Sequence, residues 1–249
     1  MNPGELPVRQ DGDQYVVDVD CFRCGEPLEL RSDEPPTRMA MVFARRMFCD
    51  DCAAASEAED ARRRGEVDRR NRIDDSGLPA ALRGLHFDDL NTDGRIEAIE
   101  AVRTWAQTER PKRGVCLFGD VGVGKTRIAA TGSWERLRRF PCGWVSVPVL
   151  IANVGAGFGD DERRAAIRTI AGKGTLVLDD LDKVNPSEWA RSQLFAAIDT
   201  RVQSGAPLLI TTNLPPSKLA EKFGQAIVSR IVGACDVYEL AGRDRRLFA

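Results

Sequence analysis

The alternation of apolar and polar positions changes character about a third of the way along the chain. From residue 78 onward, short apolar runs alternate with longer stretches of helical spacing. GVCLFG (114–119), WVSVPV (144–149), TLVLDD (175–180), PLLITTN (207–213) and DVYEL (236–240) read as strands. Between them, RIEAIEAVRTWAQ (95–107) sets Ile96, Ile99 and Val102 at helical spacing. A helix is expected from Gly124 to about Arg139, and another from Trp189 to Val202, with Leu194, Phe195, Ile198 and Val202 on one face. AIVSRIV (226–232) belongs to a further helix before the last strand. Strands alternating with helices predict an α/β fold, a parallel sheet covered on both faces.

The first third follows another pattern. Residues 1–14 read as a loose lead-in, and residues 15–52 carry two pairs of cysteines. SEAEDARRRGEVDRRNR (56–72) is almost all charge and alanine at helical spacing, the pattern of a solvated helix or a hinge. SGLP (76–79) then punctuates the chain. The expected organisation is a small domain at 1–55, a charged helical linker at 56–77 and an α/β domain at 78–249, without internal repeats.

Composition changes this picture in one respect. At 43% apolar and 30% charged residues, the 249-residue chain is ordinary for a folded protein, and its net charge is −2. Residues 1–75, however, hold 12 Lys/Arg against 18 Asp/Glu, a net of −6, which leaves +4 for the remainder. An acidic front is a poor main surface for nucleic acid, because phosphate binding needs clustered positive charge. The stretch MNPGELPVRQ has no apolar signal core, and no apolar run approaches about 18 residues. No membrane partner and a cytoplasmic location are the default expectations.

The candidate chemistry begins at GDVGVGKT, which fits GxxxxGK[ST] with Gly119, Gly124, Lys125 and Thr126 in the required places. Asp120, Val121, Gly122, Val123 and Arg127 complete the stretch. The glycines let backbone N–H groups surround phosphates, Lys125 would neutralise the β- and γ-phosphates, and the Thr126 hydroxyl would ligate Mg²⁺. The loop follows an apolar strand and opens a helix, whose N-terminus favours anions. Asp179 and Asp180 end a strand 54 residues beyond Lys125. Asp179 would hold Mg²⁺ through water, and Asp180 would polarise the attacking water. Asn213 ends another strand and could hold that water, since strand tips in such sheets converge on the ligand crevice. Arg230 is a candidate finger for a neighbouring subunit's site, a role that would require self-association. Arg243, Arg245 and Arg246 are further candidates for phosphate.

Cys21-x₂-Cys24 and Cys49-x₂-Cys52 form two knuckles that can complete a closed, structural Zn²⁺ site. A pair of redox-active dithiols is the alternative. A region this small needs such a staple to fold. Between the knuckles lie Met39, Met41 and Met47, suited either to partner docking or to filling a small core. Acidic charge with methionines favours protein docking over DNA binding. Cys116, Cys142 and Cys235 are read as core residues, and His86, the single histidine, as a packing or helix-entry residue.

GDVGVGKTRIA, LVLDDLDK, GAPLLITTNLPP, SRIVGACDVYEL and the closing GRDRR together resemble the AAA+ ATPases of the DnaC/DnaI/IstB type, over about residues 76–249. The resemblance implies ATP binding and a five-stranded parallel sheet ordered 5-1-4-3-2. It maps Walker A to Gly119–Thr126, Walker B to Asp179 and Asp180, sensor 1 to Asn213, the arginine finger to Arg230 and the sensor 2-like arginine to Arg246. It also implies a helicase loader for bacterial or phage replication, with a replicative helicase and single-stranded DNA as partners, or a transposition helper. The segment from Val149 to Gly174, with Arg163, Arg164, Arg168 and Lys173, resembles the family's element that contacts single-stranded DNA. Two departures stand out. Asp180 occupies a position where most AAA+ proteins use Glu, so slow hydrolysis is expected. Only nine residues follow DVYEL, so little or no helical lid is expected, and Arg246 would have to act from a stub. The leading expectation is a loader whose zinc module docks the helicase while ATP gates release. A transposition helper and a nucleotide-switched adaptor with little ATPase activity remain open.

Overall fold

The computed structural model describes residues 8–33, 48–155, 174–185 and 187–242. The chain forms two units, residues 1–68 and 69–249.

In the first unit, β1 (Val8–Asp11), β2 (Gln14–Asp20) and β3 (Pro27–Ser32) form an antiparallel meander. Gly12, at a φ of +66°, supplies the left-handed turn between β1 and β2. Arg9 pairs with Asp18 and Glu29 across the strands, and Arg31 with Asp11 and Glu29. These pairs are solvated and contribute little. The apolar cluster is small: Val17 is buried, and Tyr15, Val19 and Leu30 pack partly against it. A core of that size supplies little driving force for folding. Helix α1 (Asp50–Asp75) has no fully buried residue and is largely solvated, as its charge pattern predicts. Near its end, Ile73 packs against the core of the second unit and Arg72 donates to Leu137 O. It begins six residues before the expected start of the charged segment, and the division between the two units falls inside it.

The second unit continues with α2 (Ile96–Gln107), β4 (Gly114–Phe118), α3 (Lys125–Leu137), β5 (Cys142–Ser146) and α4 (Val147–Gly155). After these come β6 (Thr175–Asp179), α5 (Glu188–Gln203), β7 (Leu208–Thr212), α6 (Pro216–Phe223), α7 (Gln225–Ala234) and β8 (Cys235–Glu239). The sheet runs β5-β6-β7-β4-β8 with every neighbouring pair parallel. Counting only these five strands, the order is 5-1-4-3-2, as expected for an AAA+ core. Side chains alternate across the sheet. Val115, Leu117, Val177 and Leu209 face one apolar cluster, shared with Ile99, Trp105 and Ile128. Cys116, Leu176, Leu178 and Ile210 face the other, shared with Ile198, Phe223 and Ile231. Cys116, Cys142 and Cys235 are all buried core residues.

Three expectations shift in detail. WVSVPV does not stay extended: β5 ends at Ser146 and Val147 opens α4. Pro148 sits in that helix's first turn, where a missing N–H costs nothing. Asp180 and Asn213 lie just beyond their strands rather than within them. Ile96 is exposed at the start of α2, while Ile99 and Val102 are buried. Met39, Met41 and Met47 lie outside the described residues, as do Arg163, Arg164, Arg168, Lys173, Arg243, Arg245 and Arg246. Among the described residues, no helix is long and apolar enough to cross a membrane.

Helix α3 packs against α2 through a glycine. A Cβ at Gly132 would come within 2.4 Å of Val102 Cγ1, and Val102 is fully buried with a stiff, branched side chain. Alanine normally gains about 1 kcal/mol over glycine in a helix, but overpacking costs about 1–3 kcal/mol. Gly132→Ala is therefore expected to lower the midpoint of denaturant unfolding; a higher midpoint would show that the two helices can move apart.

Candidate nucleotide and metal sites

The loop after β4 gathers at the carboxyl end of the sheet. Gly119, at a φ of +142°, lies against the chain leaving β8, and a Cβ there would meet Leu240 O at 2.1 Å. No other residue type fits that approach. Gly122 and Gly124 also take positive φ, and Gly124 caps α3. The Lys125 ammonium donates to Gly119 O and Asp120 O, both at 2.7 Å. Partial burial lowers its pKa, against the opposing pull of Asp182 and Asp180.

One carboxylate joins three elements. Asp179 Oδ1 accepts hydrogen bonds from Thr126 Oγ1 (3.0 Å) and from Thr211 Oγ1 (2.6 Å), so the first turn of α3 and the ends of β6 and β7 meet on it. Thr211 Oγ1 in turn accepts from the Asp180 N–H at 2.9 Å. Asp180 takes a left-handed φ of 58°, which turns the chain away from the strand direction directly after Asp179. Its Oδ2 lies 2.6 Å from Lys183 Nζ. Asp182 is buried and accepts from Thr212 Oγ1, from Asn213 N and from Asn213 Nδ2. Burial works against its charge, but the bonds from Asn213 and Thr212 together outweigh it and hold the carboxyl below the usual range.

Of these groups, Lys125, Thr126, Asp180, Lys183 and Asn213 border a cavity of about 490 Å³, and Asp179 reaches it through its bond to Thr126. The residues from Val121 to Arg127, with Asp180 and Asn213, line one side, and Leu82, Leu90, Asn91 and Arg95 line the other. The fold thus brings together the glycine loop, the two aspartates and the asparagine that the sequence singles out. Arg230 does not border the cavity; it lies on α7, where its Nε is 2.6 Å from Asp199 Oδ1. Sequence reasoning missed Thr211, Asp182 and Lys183, although the last two belong to the quoted stretch LVLDDLDK. It also missed the wall at residues 82–95, which carries no periodic signal. There His86 precedes a short 3₁₀ turn (Phe87–Asp89), and its backbone N–H donates to Asp89, a helix-entry role.

In the first unit the thiols of Cys21, Cys24, Cys49 and Cys52 lie within 4.8 Å of one another. Cys24 Sγ and Cys49 Sγ are 3.7 Å apart. Zinc–sulfur bonds of about 2.3 Å in a tetrahedron put sulfurs about 3.8 Å apart, so the cluster fits a four-thiolate metal. The Cys49 N–H points at Cys21 Sγ, 3.3 Å away. Burial works against a Cys21 thiolate, but N–H groups of Cys24, Cys49 and Arg23 prevail and draw its pKa down to about 6.

Comparison with known proteins agrees with this geometry. The sequence matches the protein-family model described as "IstB-like ATP binding protein" over residues 57–248. No curated protein matches it. Among solved structures, one of DnaI superposes with a TM-score of 0.59 at 23% identity, covering 68% of this chain and 95% of that one. One of the DnaC helicase loader gives 0.56 at 19%, covering 66% and 100%. A replication initiator DnaA bound to AMPPCP and single-stranded DNA gives 0.58 at 17%, covering 67% and 52%. At these identities the structures establish the shared fold.

The Asp179 carboxyl makes a testable contribution to stability. Burial raises its pKa, more than the Thr211 and Thr126 bonds lower it. A raised folded-state value gives stability that is present below the unfolded value of about 3.9 and is lost as pH rises through the folded value. Asp179→Asn keeps an acceptor for both threonines and removes the buried charge. Without nucleotide, its Tm is expected to exceed that of the wild type at neutral pH, with the gap closing towards pH ~4. Thermal unfolding across that range checks this; a variant less stable at neutral pH would show that the two threonine bonds require the charge.

Proposed function

The chain belongs to the IstB-like ATP binding protein family and is an AAA+ ATPase, and from that premise we propose that it loads a replicative helicase onto single-stranded DNA. The observation that carries the nucleotide chemistry is the meeting of Thr126 and Asp179 at the amino end of α3. ATP in the cavity would set its base against Leu82 and Leu90 and its phosphates against the loop N–H groups and Lys125. Thr126 and Asp179 would hold Mg²⁺, which would offset the charge developing on the phosphates. Asp180 and Asn213 would face the attacking water.

Two features make turnover slow in an isolated chain. The Asp180 carboxylate is short, and Lys183 is paired with it. Arg230 is held by Asp199 and reaches no part of its own chain's cavity. If it completes a neighbour's site, that pair must part on assembly, and the arriving guanidinium is worth about 10³–10⁵ in rate. Arg246, close to the chain's end, would be a further phosphate contact.

The four cysteines would hold Zn²⁺ as a closed structural site and staple a unit whose apolar core is small. The thiolates of Cys21, Cys24, Cys49 and Cys52 leave no position for water, so the metal organises the fold and performs no reaction. Phe22, between the first two thiols, is 79% exposed, and acidic groups dominate the first 75 residues. A protein partner suits that surface better than a polyanion does. Likeness of fold to DnaI and to the DnaC helicase loader favours a helicase as that partner, and likeness to DnaA with single-stranded DNA favours a DNA contact. The family description equally admits a transposition helper.

Helicase loading separates these readings. The full chain, mixed with the replicative helicase of its own cell and circular single-stranded DNA, is expected to transfer the helicase in an ATP-dependent manner. Lys125→Ala should keep helicase binding and lose transfer. No association with the helicase, together with stimulation of a transposase, would favour the transposition helper. Full transfer by Lys125→Ala would favour the nucleotide-switched adaptor.

A further inference from the structure

The stretch LVLDDLDK contains a third aspartate, Asp182, beyond the two assigned to metal and water. It sits in a short 3₁₀ turn, Leu181–Lys183, and is only 8% exposed. Its Oδ1 accepts from Thr212 Oγ1 at 3.0 Å and from the Asn213 N–H at 2.5 Å. Its Oδ2 accepts from Asn213 Nδ2 at 2.9 Å. On the other side, the Asp182 carbonyl accepts from Lys222 Nζ of α6 at 2.6 Å, which anchors the turn.

The chemistry of the partner decides which way the Asn213 amide faces. Amide oxygen and nitrogen are ordinarily assigned from their surroundings. A carboxylate offers acceptors and no donor, so only the NH₂ end of Asn213 can face Asp182. The amide oxygen is then the atom left for the cavity that Asn213 lines. We infer that Asp182 is a positioning residue that fixes the polarity of the Asn213 amide, so that the nucleotide site meets a hydrogen-bond acceptor. An acceptor can take a hydrogen bond from the attacking water and so orient it. It cannot grip a γ-phosphate oxygen, which requires a donor. The inference rests on the reading of the cavity as the ATP site.

Asp182→Asn tests it with almost no change in shape. The Oδ1 position keeps its two donors, while an NH₂ group replaces Oδ2. Two NH₂ groups cannot face each other, so the Asn213 amide turns over and presents its donor end to the cavity. ATP affinity is expected to hold or tighten, while kcat falls about tenfold or more, as for loss of a group that orients the reacting water. The double variant Asp182→Asn/Asn213→Asp accepts the new NH₂ on one oxygen and returns an acceptor to the cavity. Its kcat at saturating ATP should recover, with weaker ATP binding from the added charge. A merely structural Asp182 would predict two damaged proteins and no recovery.

The measurements are ATP binding, steady-state hydrolysis and thermal unfolding on the full chain. Wild-type kcat in Asp182→Asn overturns the inference and leaves the reading of the cavity intact. A double variant no faster than the single one also overturns it. If Asp182→Asn fails to fold, recovery of both folding and turnover in the double variant supports it. Failure of the wild-type chain to bind ATP would overturn the cavity reading, and the inference with it.

Discussion

The hydrogen bonds from Thr126 and Thr211 to a single oxygen of Asp179 tie the chemistry to the fold. Three segments far apart in sequence depend on this carboxylate: the glycine loop with its helix, the end of β6 and the end of β7. A parallel sheet makes the meeting possible, because the carboxyl ends of all its strands point the same way. In the order β5-β6-β7-β4-β8, β7 lies between β4 and β6. Thr211 on that intervening strand therefore bridges the two halves of the site. The arrangement has a cost, since a buried carboxylate is penalised for its charge until a cation joins it. Such a tension is typical of sites shaped for a ligand.

The charged turn beyond β6 distributes the remaining roles over four residues. Asp179 meets the threonines, Asp180 meets Lys183, and Asp182 meets Asn213. Three carboxylates within four positions would repel one another in a regular strand or helix. The left-handed φ at Asp180 sends the chain aside after the first of them. Each then finds its own hydrogen-bond donors or cation, and the backbone turn resolves the crowding of like charges.

Much of this was legible in the sequence because it rests on local pattern. Buried strands flanked by helical spacing announce the parallel sheet, and GxxxxGK[ST] announces the loop through its glycines. Spacing alone pointed to the four cysteines, whose thiols the fold gathers into one cluster. What stayed hidden depends on tertiary pairing. Thr211 looks like any strand threonine until β6 lies beside β7. Asp182 gains significance only once Asn213 is next to it. The wall at Leu82, Leu90 and Arg95 comes from irregular chain, whose placement no period encodes. Pro148, in contrast, is a visible signal against extending β5, which ends at Ser146.

If Thr126 and Asp179 form one metal-nucleotide site, the nucleotide and the metal must bind interdependently. The most direct test is the Mg²⁺ dependence of ATP affinity, measured with a fluorescent ATP analogue on the wild-type chain and on Thr126→Val. Mg²⁺ should tighten binding to the wild type, whereas Thr126→Val should bind the nucleotide but lose that enhancement. An equal response to Mg²⁺ in both proteins would contradict a shared site.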